Sequence, residues 1–170
     1  MPDPNRYVGK YRGTVTENVD PMRIGRLRAL VPDVLGDTPC TFAMPCLPVA
    51  GPRMGQYVVP PVGAGVWVEF EQGDLNYPIW TGCWYGSAAE VPAAALQGPP
   101  NSPNILIQSS GGRSVLISDL PGGPGITLET PSGAKLVIND EGITISNGRG
   151  ALIELVGNTV TVNSGALTID

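Results

Sequence analysis

The last third of the chain, residues 104–170, repeats one short motif: two apolar residues with a single residue between them. The pairs are Ile105/Ile107, Val115/Ile117, Ile126/Leu128, Leu136/Ile138, Ile143/Ile145, Ile153/Leu155, Val160/Val162 and Leu167/Ile169. Apolar-x-apolar is the period-2 mark of a strand with one buried face. Gly, Asn, Asp, Ser and Pro fill the intervals and give the chain places to turn. The first residues of successive pairs lie 10, 11, 10, 7, 10, 7 and 7 apart, so the repeat has no strict period.

Each such strand offers only two inward side chains, and nothing else in the segment can cover them. There is no helical periodicity and no aromatic residue after Tyr85. One copy alone would leave a long apolar stripe in water, which soluble monomers rarely tolerate. Two closures are open. A self-coiling solenoid needs three faces per turn, roughly 18 or more residues per coil, and this segment is short and uneven for that. Three copies that pool their stripes around a shared axis need neither more length nor regular steps. The expected fold is therefore all-β and ends in an intertwined trimeric β-helix, a triangular prism with its ladder bonds shared between neighbouring chains. The sixteen paired residues form its trimer core. Thr127, Thr144, Thr161 and Thr168, which sit between paired residues, are expected to point outward.

The first half reads as a small barrel. Residues 1–6 form a polar arm. Residues 7–16 and 24–31 alternate like two long strands of a hairpin, joined at the turn signal Asn18-Val19-Asp20-Pro21. Pro32 ends the second, because proline gives no ladder donor. A proline-rich stretch to residue 61 follows. In Gly65-Val66-Trp67-Val68-Glu69-Phe70-Glu71, Val66, Val68 and Phe70 share one face. After the turn at Gly73-Asp74-Leu75-Asn76, residues 77–85 return as the last strand. Five or so strands within residues 1–86, with glycine at the bends, suggest an OB-fold. Residues 87–103 read as a linker and 104–170 as the spike. The nearest thing to a helix, residues 90–96, is interrupted by Pro92.

Charge and cysteine content narrow the function. The net charge is −5 and histidine is absent, which argues against a general nucleic-acid binder. Arg23, Arg26 and Arg28, beside Lys10 and Arg12, make a local basic cluster. It either faces an acidic partner or consists of ordinary solvated strand-edge charges. Cys40, Cys46 and Cys83 form no CxxC and read as buried thiols; a metal site is the alternative. Met1-Pro2-Asp3-Pro4 lacks the features of a signal peptide, and no run reaches membrane-spanning length, so assembly in the cytoplasm is expected.

Several stretches resemble a known family. Gly9-Lys10-Tyr11-Arg12-Gly13-Thr14-Val15, then Gly25-Arg26-Leu27-Arg28-Ala29-Leu30-Val31-Pro32, resemble the opening of phage baseplate assembly protein V and related central-spike proteins. So do Met44-Pro45-Cys46-Leu47-Pro48-Val49-Ala50-Gly51 and residues 60–71. The strongest match is Gly73-Asp74 through Tyr77-Pro78-Ile79-Trp80-Thr81-Gly82-Cys83-Trp84-Tyr85-Gly86. The resemblance implies an OB-fold followed by a trimeric β-helix at the tip of a contractile tail, in a phage, an extracellular injection system or type VI secretion. It implies a homotrimer seated on a baseplate hub ring, with Lys10, Arg12, Arg26, Arg28 and Trp67 as candidate hub contacts. By analogy a PAAR-type tip protein caps the end, and a target membrane is met only transiently. Some relatives carry a lysozyme domain between barrel and spike, for which the short linker here leaves no room, or a His-x-His iron site, which a sequence without histidine cannot form.

No catalysis and no cofactor are expected, because triads and metal hydrolases usually want histidine. The rival reading is an OB-fold binding module for oligosaccharide or single-stranded nucleic acid, stacking on Trp67, Trp80, Trp84 and Tyr85. The alternative for these aromatics is packing in the barrel or against the hub.

Overall fold

The computed structural model describes residues 6–169, with side chains to residue 167. It is all-β apart from short helical turns, and its contacts divide the chain into two compact units, 1–88 and 89–170.

The first unit begins with β1 (Tyr11–Glu17), β2 (Arg28–Leu30) and one helical turn, α1 (Pro32–Leu35). Next come β3 (Met44–Pro45) and a small hairpin of β4 (Ala50–Gly51) and β5 (Met54–Gly55). β6 (Gly65–Phe70) and β7 (Pro78–Trp84) complete it. The main sheet runs β2-β1-β6-β7-β3, antiparallel except for β3 beside β7. It curls into an OB-like half-barrel. Val66, Val68 and Phe70 alternate inward, as their period-2 spacing dictates, and pack with Val15, Leu27, Ala29, Val31 and Trp80.

A bulge decides where the tryptophans go. Val68 faces Trp80, yet Trp67 faces Gly82, so Thr81 is the extra residue in β7. Trp80 therefore lies inside, its indole N–H donating to the Gly25 carbonyl at 3.0 Å. Trp84 lies on the other face, over Gly65, where a Cβ would come within 2.7 Å of its ring.

The expected long second strand is corrected. Only Arg28–Leu30 pair as β2, because the chain before them is wrapped around Asp20. The Asp20 carboxylate accepts the backbone N–H groups of Met22, Ile24 and Arg26 at 2.9, 2.9 and 3.2 Å. It also accepts Nε and Nη2 of Arg26 at 3.0 and 2.7 Å. Saturating a carboxylate with five donors outweighs extending a strand by a few residues. Pro32 does more than end a strand: it starts α1, where its missing N–H is no loss.

Two 3-10 turns come next, Ala88–Glu90 across the unit boundary and Ala93–Gln97 within the second unit. Asn104 Nδ2 ties the second of these down by donating to the Ala94 carbonyl at 2.9 Å. Eight strands follow: β8 (Ile105–Gln108), β9 (Ser114–Ile117), β10 (Ile126–Glu129), β11 (Lys135–Asn139), β12 (Gly142–Ser146), β13 (Leu152–Val156), β14 (Thr159–Val162) and β15 (Leu167–Ile169). They pair in sequence order, every pair antiparallel. The ladder is thus closed within one chain, which corrects the expectation of backbone bonds shared between chains. Short turns make the next strand the nearest available partner. Asn139 Oδ1 accepts the N–H of Glu141 and Gly142 at 3.0 and 3.2 Å, and Asn147 Oδ1 those of Arg149 and Ala151 at 2.8 and 3.0 Å. Gly142 is required where it stands: a Cβ there would overlap the Leu155 carbonyl.

Candidate assembly interface

Register turns the eight sequence pairs into two unbroken columns. One runs Ile105, Ile117, Ile126, Ile138, Ile143, Leu155, Val160, Ile169. The other runs Ile107, Val115, Leu128, Leu136, Ile145, Ile153, Val162, Leu167. All sixteen residues singled out by spacing stand in these columns; the side chain of Ile169 lies outside the described residues. A one-residue slip in any strand would throw its pair to the other face, and no strand slips.

The face they form is open. Ile107 is 66% exposed, and ten others of the columns are also among the exposed large hydrophobics. Covering one such side chain contributes about 1.5–3 kcal/mol. With eleven exposed in every chain, each about half open in the lone copy and so contributing roughly half that amount, the gain summed over the copies exceeds an association cost of about 4–15 kcal/mol. A lone copy has every physical reason to bury this face against something.

Between the two columns runs a third, pointing the opposite way: Leu106, Leu116, Thr127, Val137, Thr144, Glu154 and Thr161, with Thr168 next in backbone register. Thr127, Thr144 and Thr161 do occupy the opposite face, and the side chain of Thr168 lies outside the described residues, but Thr127 does not meet solvent: it is 6% exposed and its hydroxyl donates to the Pro124 carbonyl at 3.0 Å. Leu116, its neighbour in the column, is buried as well. Thr144 and Thr161 are half-buried. Single-strand alternation carries no information about a loop such as residues 118–125, and so could not foretell this.

The five candidate hub contacts fall into two groups. On the outer face of the half-barrel, Arg12 stands opposite Trp67. Its guanidinium lies 5.7 Å from the Trp67 ring centre and 5.2 Å from that of Trp84, within cation–π range. Lys10 sits beside them, its Nζ 2.6 Å from Glu69 Oε1 and 2.9 Å from Thr81 Oγ1. Arg26 and Arg28 are held elsewhere. Arg26 is bound to Asp20 and lies over Phe42; Arg28 reaches Glu17 at 3.7 Å and donates to the Cys40 carbonyl at 3.1 Å. The basic cluster of the sequence is therefore not one patch.

The stacking platform of the rival reading is also divided. Trp80 is buried in the core, while Trp67 and Trp84 pack at a tilt on the other face, 6.4 Å apart. The expectation of three buried thiols is corrected: only Cys40 is buried, and Cys46 and Cys83 are exposed. Burial pushes the Cys40 thiol up, against the N–H of Ala29 and the charge of Arg28. Among the described residues no group of His, Cys, Asp and Glu is placed to hold a metal, and no helix is long and apolar enough to cross a membrane.

Comparison with protein families matches both units. Residues 11–85 match the type VI secretion system/phage-baseplate injector OB domain. Residues 104–168 match the phage baseplate V C-terminal trimerisation domain. Comparison with curated proteins gives no match.

Proposed function

The chain belongs to the phage baseplate V family, and from that premise we propose how it acts: three copies form the central spike of a contractile tail or injection system and breach a target envelope mechanically. Its role is structural, in the baseplate or spike of a tail-like particle, and its C-terminal unit is a trimerisation domain. The observation that carries the proposal is the pair of unbroken apolar columns left open on one side of an eight-stranded sheet. Three such faces turned toward one axis make a closed, dry prism with the sixteen paired residues as its core.

In this arrangement the strands are stacked along the axis, about 4.8 Å apart. Eight of them give a shaft roughly 34 Å long. Axial load then runs along the backbone ladders, and the shared apolar core resists buckling because no sheet can bend away without exposing its columns. The half-barrel unit contacts the hub ring through the outer face of β1, β6 and β7, where Arg12 has no carboxylate partner among the described residues. Arg26 and Arg28 support the fold rather than that contact. A PAAR-type tip protein covers the distal strand edge, which would otherwise present unpaired backbone groups. Assembly takes place in the producing cell's cytoplasm, in keeping with three free cysteines.

The test is localisation. Antibodies raised against residues 104–170 are expected to label the baseplate end of contractile particles from the source of the protein. Label confined to the tube or sheath would overturn the assignment.

A further inference from the structure

The turns at the two edges of the second sheet carry opposite charge. One edge holds the β8–β9, β10–β11, β12–β13 and β14–β15 turns; its charged turn residues are Arg113 and Arg149. The other edge holds the β9–β10, β11–β12 and β13–β14 turns; its charged turn residues are Asp119, Asp140 and Glu141. No acidic residue lies in the first set of turns and no basic residue in the second. At the first edge the strand residues Glu129 and Lys135 face each other in register and offset one another. The five turn residues are all exposed. Ion pairs join Lys10 to Glu69, Arg26 to Asp20 and Arg28 to Glu17, and none of the five turn residues has an ionic partner among the described residues.

We propose that these edges are the corners of the trimer: the arginine edge of one copy docks on the carboxylate edge of the next, with Arg113 meeting Asp119 and Arg149 meeting Asp140 and Glu141. The inference rests on the trimer reading above and adds the corner contacts to it. Three-fold rotation brings one edge of each sheet against the opposite edge of its neighbour, a head-to-tail interface that closes after three copies. Symmetry also keeps the copies at one height along the axis, so strand order gives the vertical offsets. The β8–β9 turn and the β9–β10 turn differ by one strand. The β12–β13 turn and the β11–β12 turn differ by one strand as well. One strand is about 4.8 Å, within the reach of an arginine side chain. The two offsets run in opposite directions, so both pairs are within reach when the copies stand at one height, and moving a copy along the axis by one strand closes one pair while stretching the other to two strands, about 9.6 Å. The apolar columns cannot supply this: they are nearly uniform from β8 to β15, so a sheet shifted by two strands would still meet hydrocarbon. The corner charges fix which layer meets which, as e and g charges do in coiled coils.

The experiment uses the full-length chain and reads its mass by sedimentation and the concentration at which the assembly dissociates. Arg149→Glu alone, and Asp140→Arg with Glu141→Arg, each place like charges at all three corners and should raise that concentration about tenfold or more. The three substitutions combined restore opposite charges and should return it to near the wild-type value. The Asn147 side chain, not that of Arg149, holds the β12–β13 turn, and the Asn139 side chain, not those of Asp140 and Glu141, holds the β11–β12 turn, so these variants keep the fold. A second readout uses Arg149→Cys with Asp140→Cys in a Cys46→Ser, Cys83→Ser background: oxidation should yield covalent trimers. If the combined variant is as weak as the sum of the two, or oxidation stops at dimers, the corner pairing is overturned. A wild-type chain that sediments as a single subunit instead overturns the trimer reading beneath it.

Discussion

Asp20 is the residue on which the half-barrel's first connection turns. Its carboxylate is held well below the usual range, first by the Arg26 guanidinium and then by the N–H groups of Met22, Ile24 and Arg26, against the opposing effect of burial. A carboxylate with a lowered folded pKa adds stability that is complete above its unfolded value, near 3.9, and that is lost as pH falls toward the folded value. Asp20→Asn keeps the shape, removes the charge and leaves Arg26 without its anion. Its thermal midpoint should fall by several degrees at pH 7, and the gap to wild type should narrow as pH drops below about 4. Circular-dichroism melts from pH 7 to pH 3 check this; a gap that does not change with pH would contradict the assignment. The sequence marked Asp20 only as part of a turn. Nothing in local spacing distinguishes an aspartate that starts a turn from one that gathers five donors, because the last two come from a side chain six residues away.

At the scale of elements, the ribbon was the most legible part of the chain. Period 2 depends only on backbone geometry, so Ile105/Ile107 and the pairs after it announced both their strands and their shared face. What spacing left out was strand partnership. Whether a ladder is closed within a chain or between chains depends on the turns, and the side-chain bonds of Asn139 and Asn147 decide it locally. The barrel was less legible for a similar reason. Alternation in residues 77–85 runs through the Thr81 bulge, which sends Trp80 inward and Trp84 outward; a strict period misplaces one of them. Burial holds for Cys40 and not for Cys46 or Cys83, because small apolar character is a statistical guide to burial and not a positional one. A substitution on the open face tests the central element. Ile145 is exposed in the single chain, so Ile145→Asp should leave an isolated subunit nearly as stable as before. In a trimer three carboxylates would meet near one axis without partners, and the assembly should be lost. Size-exclusion chromatography with light scattering distinguishes the two cases; a stable trimeric Ile145→Asp would show that the inward face is assigned wrongly.

For the whole molecule the two units differ in what they need. The first has a closed core of its own around Leu27, Val66, Val68 and Trp80. The second has an open face. A chain ending at residue 88 should therefore stay folded and soluble, with weak or no self-association, and its melting curve should keep a cooperative transition. Aggregation or loss of structure on truncation would mean that the half-barrel depends on the ribbon. The most decisive measurement is the mass of the 170-residue chain in solution. Sedimentation equilibrium at micromolar concentration should return three times the 17.7 kDa of one chain, unchanged on dilution until the ribbon unfolds. A well-folded species of 17.7 kDa, with its apolar columns facing water, would contradict it.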